Sequence, residues 1–117
     1  MQFVLLIYHG STPLPGSAAW NALPEAEQKS MYAEYAELNK TKGVTAGLPT
    51  LAPHKATTVR VRNGKVQVEN EPYQSESLGG AFVFEAEDIE AAIKLAAKVP
   101  QAHLGGAVEV RPVEKYF

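Results

Sequence analysis

His9 closes an apolar run and stands directly before Gly10. Imidazole is the side chain whose ordinary pKa lies nearest neutrality, so a histidine at a strand exit is a candidate general base. The chain's three arginines, Arg60, Arg62 and Arg111, all lie in alternating stretches, TVRVR at 58–62 and VEVRPV at 108–113. On a strand that alternation sends Arg60 and Arg62 to one side and Val59 and Val61 to the other. It likewise separates Glu109 and Arg111 from Val108 and Val110. Guanidinium forks bind carboxylates and other anions bidentately, which makes Arg60, Arg111 and Glu109 candidates for fixing a small polar or anionic ligand. The loop ENEPYQSESLGG, residues 69–80, adds a phenol at Tyr73 and a carboxylate at Glu76. These two would sit at the mouth of such a cleft. The catalytic candidates are therefore His9 and Glu76, and the ligand-binding candidates are Arg60, Tyr73, Glu109 and Arg111.

Each has a plainer structural alternative. His9 suits a surface strand exit, and the Arg/Glu positions suit a solvated sheet face carrying a cross-strand ion pair. The loop suits a simple connection: Pro72 fixes its φ, Ser75 and Ser77 satisfy local backbone groups, and Gly79-Gly80 permits close backbone approach. His54 reads as a loop residue, and His103 as a helix-end or turn residue.

Other chemistries are excluded more firmly. The 117 residues contain no cysteine, which removes disulfides, thiolate metal sites and cysteine nucleophiles. Three histidines without H-x-x-x-H spacing make no metal site. G-x-S-x-G, P-loop and G-x-G-x-x-G patterns are absent, and no cofactor is expected. The one aspartate, Asp88, falls where it would cap a helix. Net charge is −2 with a pI near 5.9 and the lysines are scattered, so no basic stripe suggests direct nucleic-acid binding. No run approaches a membrane span, and the start lacks a signal peptide's basic region. The expectation is a cytoplasmic single domain over residues 1–117.

The elements that must position these groups follow from periodicity. FVLLIY (3–8) is a strand apolar on both sides, which predicts cover on both faces. A first helix runs from Pro24 towards Gly43, with Met31, Tyr35 and Leu38 as its buried stripe and Tyr32 as an aromatic flank. Residues 44–52 form a broken strand, with Pro49 suggesting an edge. Asn63-Gly64 marks a type I′ turn joining TTVRVR to KVQVEN. GGAFVFEA (79–86) is a strand, and a second helix over 87–98 has Ile89, Ala92, Ile93 and Ala96 as its core stripe. Pro100 stops that helix, and residues 107–113 form the last strand. Apart from an extra hairpin strand, the order is the split β-α-β-β-α-β pattern of ferredoxin-like α+β folds. The valine faces are expected to pack on the helices. Two-sided apolarity of FVLLIY predicts sheet-to-sheet homodimerisation.

The segment ATTVRVRNGKVQVENEPYQSESLGGAFVFEAEDIEAAIKLAA, with VEVRPV behind it and LLIY and WNALPEAE ahead, resembles the YCII-related family, specifically its DGPF-motif branch. The resemblance covers nearly the whole chain. It implies a dimeric ferredoxin-like α+β barrel with a cleft between sheet and loops. Some relatives are suspected of enzymatic work with a histidine–aspartate pair, and members of the branch often accompany sigma-factor-like regulators. A second function class follows: a non-catalytic interaction or regulatory module, binding a protein through the Tyr32 side or the dimer rim. The D-G-P-F stretch aligns with Asn70-Glu71-Pro72-Tyr73. Pro72 is kept, Tyr73 is an aromatic match, and the acid and glycine have become an amide and a glutamate.

Overall fold

The computed structural model describes residues 1–45, 48–49, 56–73 and 78–114. Strand β1 (Gln2–Tyr8) leads into a short helix α1 (Ala18–Asn21), a long helix α2 (Glu25–Lys40) and a two-residue strand β2 (Leu48–Pro49). A hairpin follows, β3 (Thr58–Arg62) and β4 (Lys65–Glu69). Then come β5 (Leu78–Glu85), α3 (Ile89–Ala96), α4 (Pro100–His103) and β6 (Ala107–Pro112). Four strands form one antiparallel sheet in the order β2-β5-β1-β6. β5 thus lies between β1 and β2, and β1 between β5 and β6, which is the doubled split-βαβ arrangement of a ferredoxin-like α+β fold. β2 is an edge strand, the position that Pro49 requires.

Register decides which residues become core. Leu5 of β1 stands opposite Phe82 of β5 and Val110 of β6, while Ile7 stands opposite Gly80 and Val108. Phe3, Leu5, Ile7 and Phe82 are buried against Leu38 of α2, Ala92, Leu95 and Ala96 of α3, and Val99. The valines of β6 pack on this cluster as expected. Residues of the other parity, Val4, Leu6, Tyr8, Ala81 and Val83, are only half-buried. They lie on the face turned away from the helices, with Glu109 and Arg111 opposite Leu6 and Val4. The thinnest extent of the molecule, 19 Å, accommodates one sheet and one helical layer, which pack about 10 Å apart.

Helix α2 begins as its sequence predicts. Pro24 precedes it, Glu25 and Glu27 occupy its first turn, and Met31 and Leu38 are buried. Tyr32 is exposed and meets Trp20 edge-on, with ring centroids 5.4 Å apart.

Two expectations are corrected. Ile89 and Ile93 are exposed, and Leu95 and Val99 take their place in the core. Asp88 accepts a hydrogen bond from the Ala91 backbone N–H at 2.9 Å, which fixes the start of α3. From Ala92 the helical repeat presents Leu95 and Ala96 to the sheet, and Val99, in the link to α4, completes the cluster. The second helix is α3, shorter than 87–98 at both ends, and Pro100 opens a further helix, α4, where only a stop was expected.

The hairpin forms with the type I′ geometry that Asn-Gly favours, Asn63 at φ 53° and Gly64 at φ 74°. Its strands, however, make a two-stranded sheet of their own, separate from the main sheet. Val59, Val61, Val66 and Val68 are 58–68 % exposed, so the hairpin's valine face is not packed on the helices. Alternation creates two faces, but only a strand within the main sheet has a helix to turn one of them towards. Among the described residues no helix is long and apolar enough to cross a membrane.

Candidate functional site

At the end of β1 the pairing with β5 slips: Ile7 stands opposite Gly80 but Tyr8 opposite Leu78, leaving Gly79 out of register. The His9 ring fills the space so made. A Cβ on Gly79 would lie 2.0–2.6 Å from Cε1, Nε2 and Nδ1 of that ring, so only glycine admits His9 here. The residues after His9 are tied to the turn before β6. Ser11 N–H donates to the Gly105 carbonyl at 3.0 Å, and Thr12 N–H donates to the His9 carbonyl at 2.9 Å. Gly106 passes so near β1 that a Cβ on it would be 2.2 Å from the Tyr8 carbonyl oxygen.

A chain of side chains reaches His9 from the helical layer. The Tyr35 hydroxyl of α2 donates to Oε1 of Gln101 in α4. Nε2 of Gln101 in turn meets Nδ1 of His9 at 3.2 Å. Gln101 is 4 % exposed, and a buried amide keeps such a place only when its polar atoms are paired. Burial lowers the pKa of His9 below its ordinary 6.5, and burial, with the nearby Glu34 charge, pushes Tyr35 up to about 12. Glu34 Oε2 also meets His103 Nε2 at 3.1 Å, tying α2 to α4. His9 therefore presents a neutral imidazole near pH 7, with one nitrogen engaged by Gln101. Its Nε2 has no partner among the described residues.

The lowered pKa has a sign that can be measured. Below pH 6.5 the unfolded chain takes up a proton at this residue more readily than the folded one. The contribution of His9 is thus complete above 6.5 and is lost as pH falls through its folded pKa. Denaturant midpoints measured from pH 8 to pH 5 should fall less steeply in His9→Gln than in the wild type. Equal slopes would mean that the ring is not desolvated.

Thr12 adds a second buried polar atom. It is 6 % exposed, and its Oγ1 has no hydrogen-bond partner among the described residues. An unpaired buried hydroxyl costs about 1–3 kcal/mol, so an isosteric methyl should be preferred there. Thr12→Val is expected to stabilise the protein by about 1 kcal/mol, raising the melting temperature by roughly 3–6 °C. A lower midpoint would show instead that the hydroxyl has a partner.

The other candidates from the sequence fall into two groups. On the hairpin, Arg60 lies over the Tyr73 ring, 5.1 Å from its centroid, and its Nη1 bonds Glu69 Oε1 at 3.0 Å. On β6, Arg111 pairs with Glu109, two residues away. No hydrogen bond or ion pair joins these groups to each other or to His9 among the described residues. Arg111 stands opposite Val4, five residues from His9, which is about 16 Å along an extended strand. Arg60 thus belongs to the hairpin sheet, and Glu109 and Arg111 belong to the main sheet. Glu76 and His54 lie outside the described residues. Gln101 was not legible as a site residue, and Tyr35 read only as core. The available signal was its hydroxyl, since a buried tyrosine needs a partner for its O–H.

A ferredoxin-like α+β domain that seats a half-buried histidine at the end of a central strand is the class of protein that fold and site define. The family model for the YCII-related domain matches residues 1–116, and the chain belongs to that family. Among solved structures it is similar to 5-chloro-2-hydroxyhydroquinone dehydrochlorinase from Burkholderia phenoliruptrix AC1100, in complex with 2,5-dihydroxybenzoquinone. That likeness covers 97% of this chain and 94% of the other at 17% identity, with a TM-score of 0.47. No curated protein matches.

Proposed function

We propose that this YCII-related domain binds a small polar or anionic molecule at His9 and works as a cytoplasmic homodimer. The observation that carries the reading is His9 itself. One nitrogen is held by a buried amide that is anchored in turn by Tyr35, and the other has no partner among the described residues. A histidine that merely closes a strand needs neither a two-residue polar anchor nor a glycine beneath its ring. The homodimer rests on the half-buried apolar face of Val4, Leu6, Ala81 and Val83, which a second sheet would cover. In that arrangement Glu109 and Arg111, at the rim of the same face, are the proposed anion-binding groups contributed by β6. Arg60 and Tyr73 are those of the hairpin. Membership of the DGPF branch is part of this proposal, and Pro72 and the aromatic Tyr73 of Asn70-Glu71-Pro72-Tyr73 support it.

The test is a nuclear magnetic resonance screen of small carboxylates, phenols and phosphate against the 15N-labelled protein. Hits should shift resonances of residues 9–12 and 101–106, and His9→Ala should abolish them while the remaining spectrum stays dispersed. Hits that map elsewhere and survive His9→Ala would defeat the reading. Arg60→Ala and Arg111→Ala separate the proposed anion groups from His9. Each should weaken acidic hits and spare neutral ones.

A second reading, a non-catalytic module that binds a regulatory protein, has one observation in its favour: the uncovered valine face of the β3–β4 hairpin. One stoichiometric partner captured by the wild type and lost by Val61→Lys, together with an empty small-molecule screen, would favour it.

A further inference from the structure

We propose that Tyr35 and Gln101 act as a clamp that fixes His9 in its Nε2–H tautomer, so that the site offers a hydrogen-bond donor and takes a small-molecule oxyanion. The inference rests on the reading of His9 as a ligand site and narrows it. In a neutral imidazole one nitrogen carries the proton and the other accepts. The Gln101 amide has two distinct ends, and it is Oε1 that faces Tyr35. Its hydroxyl donates to Oε1, which leaves the NH2 group to face His9 Nδ1. An NH2 group can only donate, so Nδ1 must accept and the proton resides on Nε2.

Three features hold this arrangement. Gln101 is almost wholly buried and cannot exchange partners with water. Its backbone is held as well, since Gly106 N–H donates to the Gln101 carbonyl at 2.8 Å. The ring itself is seated over Gly79, where a Cβ would displace it. The resulting donor is neutral and partly desolvated, the setting in which a hydrogen bond to a charged acceptor gains most. The complementary ligand group is a carboxylate, enolate or phenolate oxygen. In the unliganded site Nε2 carries the proton, so His9 begins as a donor to such an oxygen and not as the base that deprotonates a hydroxyl.

Tautomers are distinguished by two-bond 1H–15N correlations, recorded on the full chain at pH 9, where the imidazole is neutral. The wild type should show the Nε2–H form. In Gln101→Glu the carboxylate can only accept, and the population should invert towards Nδ1–H by at least tenfold. Tyr35→Phe removes the anchor without altering Gln101 and should give a mixture, which keeps the test open if the charged variant does not fold. Millimolar benzoate should then shift His9 Nε2 in the wild type, and benzamidine, of the same shape but a cationic donor, should not. A wild-type Nδ1–H tautomer would overturn the clamp even if benzoate binds. Equal or preferred binding of benzamidine would overturn the oxyanion assignment. A Nε2–H tautomer that neither probe perturbs would leave the clamp standing, and would overturn the ligand assignment together with the site reading beneath it.

Discussion

Gly106→Ala is expected to destabilise the protein by about 3 kcal/mol, lowering the melting temperature by roughly 10–15 °C. Gly79→Ala should cost less and damage the site more. The difference lies in what each new methyl would meet. At Gly106 it would sit 2.2 Å from the Tyr8 carbonyl oxygen and 2.7 Å from that of His9. Both are backbone atoms, and Tyr8 is committed to the β1–β6 ladder opposite Ala107. Relief there means breaking sheet pairing. At Gly79 the three atoms nearest the methyl all belong to the His9 ring, which can rotate out at about 1 kcal/mol for a strained rotamer. That movement leaves the buried Gln101 NH2 unpaired, at about 1–3 kcal/mol. His9 in Gly79→Ala should then titrate near its ordinary 6.5, and its Nδ1 contact with Gln101 should vanish from the spectrum. Thermal denaturation with a histidine titration separates the two variants. A Gly79→Ala protein whose His9 pKa stays low would show that the ring does not depend on the missing Cβ.

This pair also sharpens the reading of the loop that ends in Gly79-Gly80. The sequence shows that two glycines there let the backbone come close to something, but glycine does not say to what. The answer is a residue 70 positions earlier in the chain, and close approaches of that kind leave no local pattern. The Tyr35–Gln101–His9 chain is illegible for the same reason, since its hydrogen bonds span 66 and 92 residues. By contrast, several elements governed by a short-range rule could be read directly, although the one-turn helices α1 and α4 were not among them. The Asn63-Gly64 turn needs two positive φ angles, Asp88 needs only the N–H of Ala91, β1 and β5 follow from their apolar runs, and β6 follows from its alternation. The errors arise where periodicity is right but direction is open. Ile89 and Ile93 fit a helical stripe as well as Leu95 does, and only packing against the sheet decides between them. The hairpin valines alternate correctly, yet they belong to a separate small sheet and stay exposed. Arg60 and Arg111 share a sequence pattern but belong to different sheets, and alternation along a strand does not say how two sheets are placed.

Leu5 and Leu6, adjacent in β1, test whether the second face of the sheet is covered. Leu5 is fully buried, opposite Phe82 and Val110. Leu5→Ala should cost about 2–5 kcal/mol in any state of association, because the cavity forms within one chain. Leu6 points the other way, is half-buried, and stands opposite Ala81 and Glu109. In an isolated domain Leu6→Lys would be close to a surface substitution, with an effect of about 0.5 kcal/mol. In a sheet-to-sheet homodimer the same change places two ammonium groups, one from each copy, in an apolar seam. Taking charges out of water without a partner costs several kcal/mol each, so association should weaken by more than about 100-fold, while each chain keeps its own core. The expected result is a wild type that sediments as a dimer at micromolar concentration, with a denaturation midpoint that rises with concentration. Leu6→Lys should sediment as a monomer with an unchanged far-ultraviolet dichroism spectrum. A wild type that is monomeric, or a Leu6→Lys variant that remains dimeric, would leave the apolar face without the second copy proposed to cover it. The Glu109–Arg111 rim would then lose its place in a shared site, and His9 alone would carry the ligand reading.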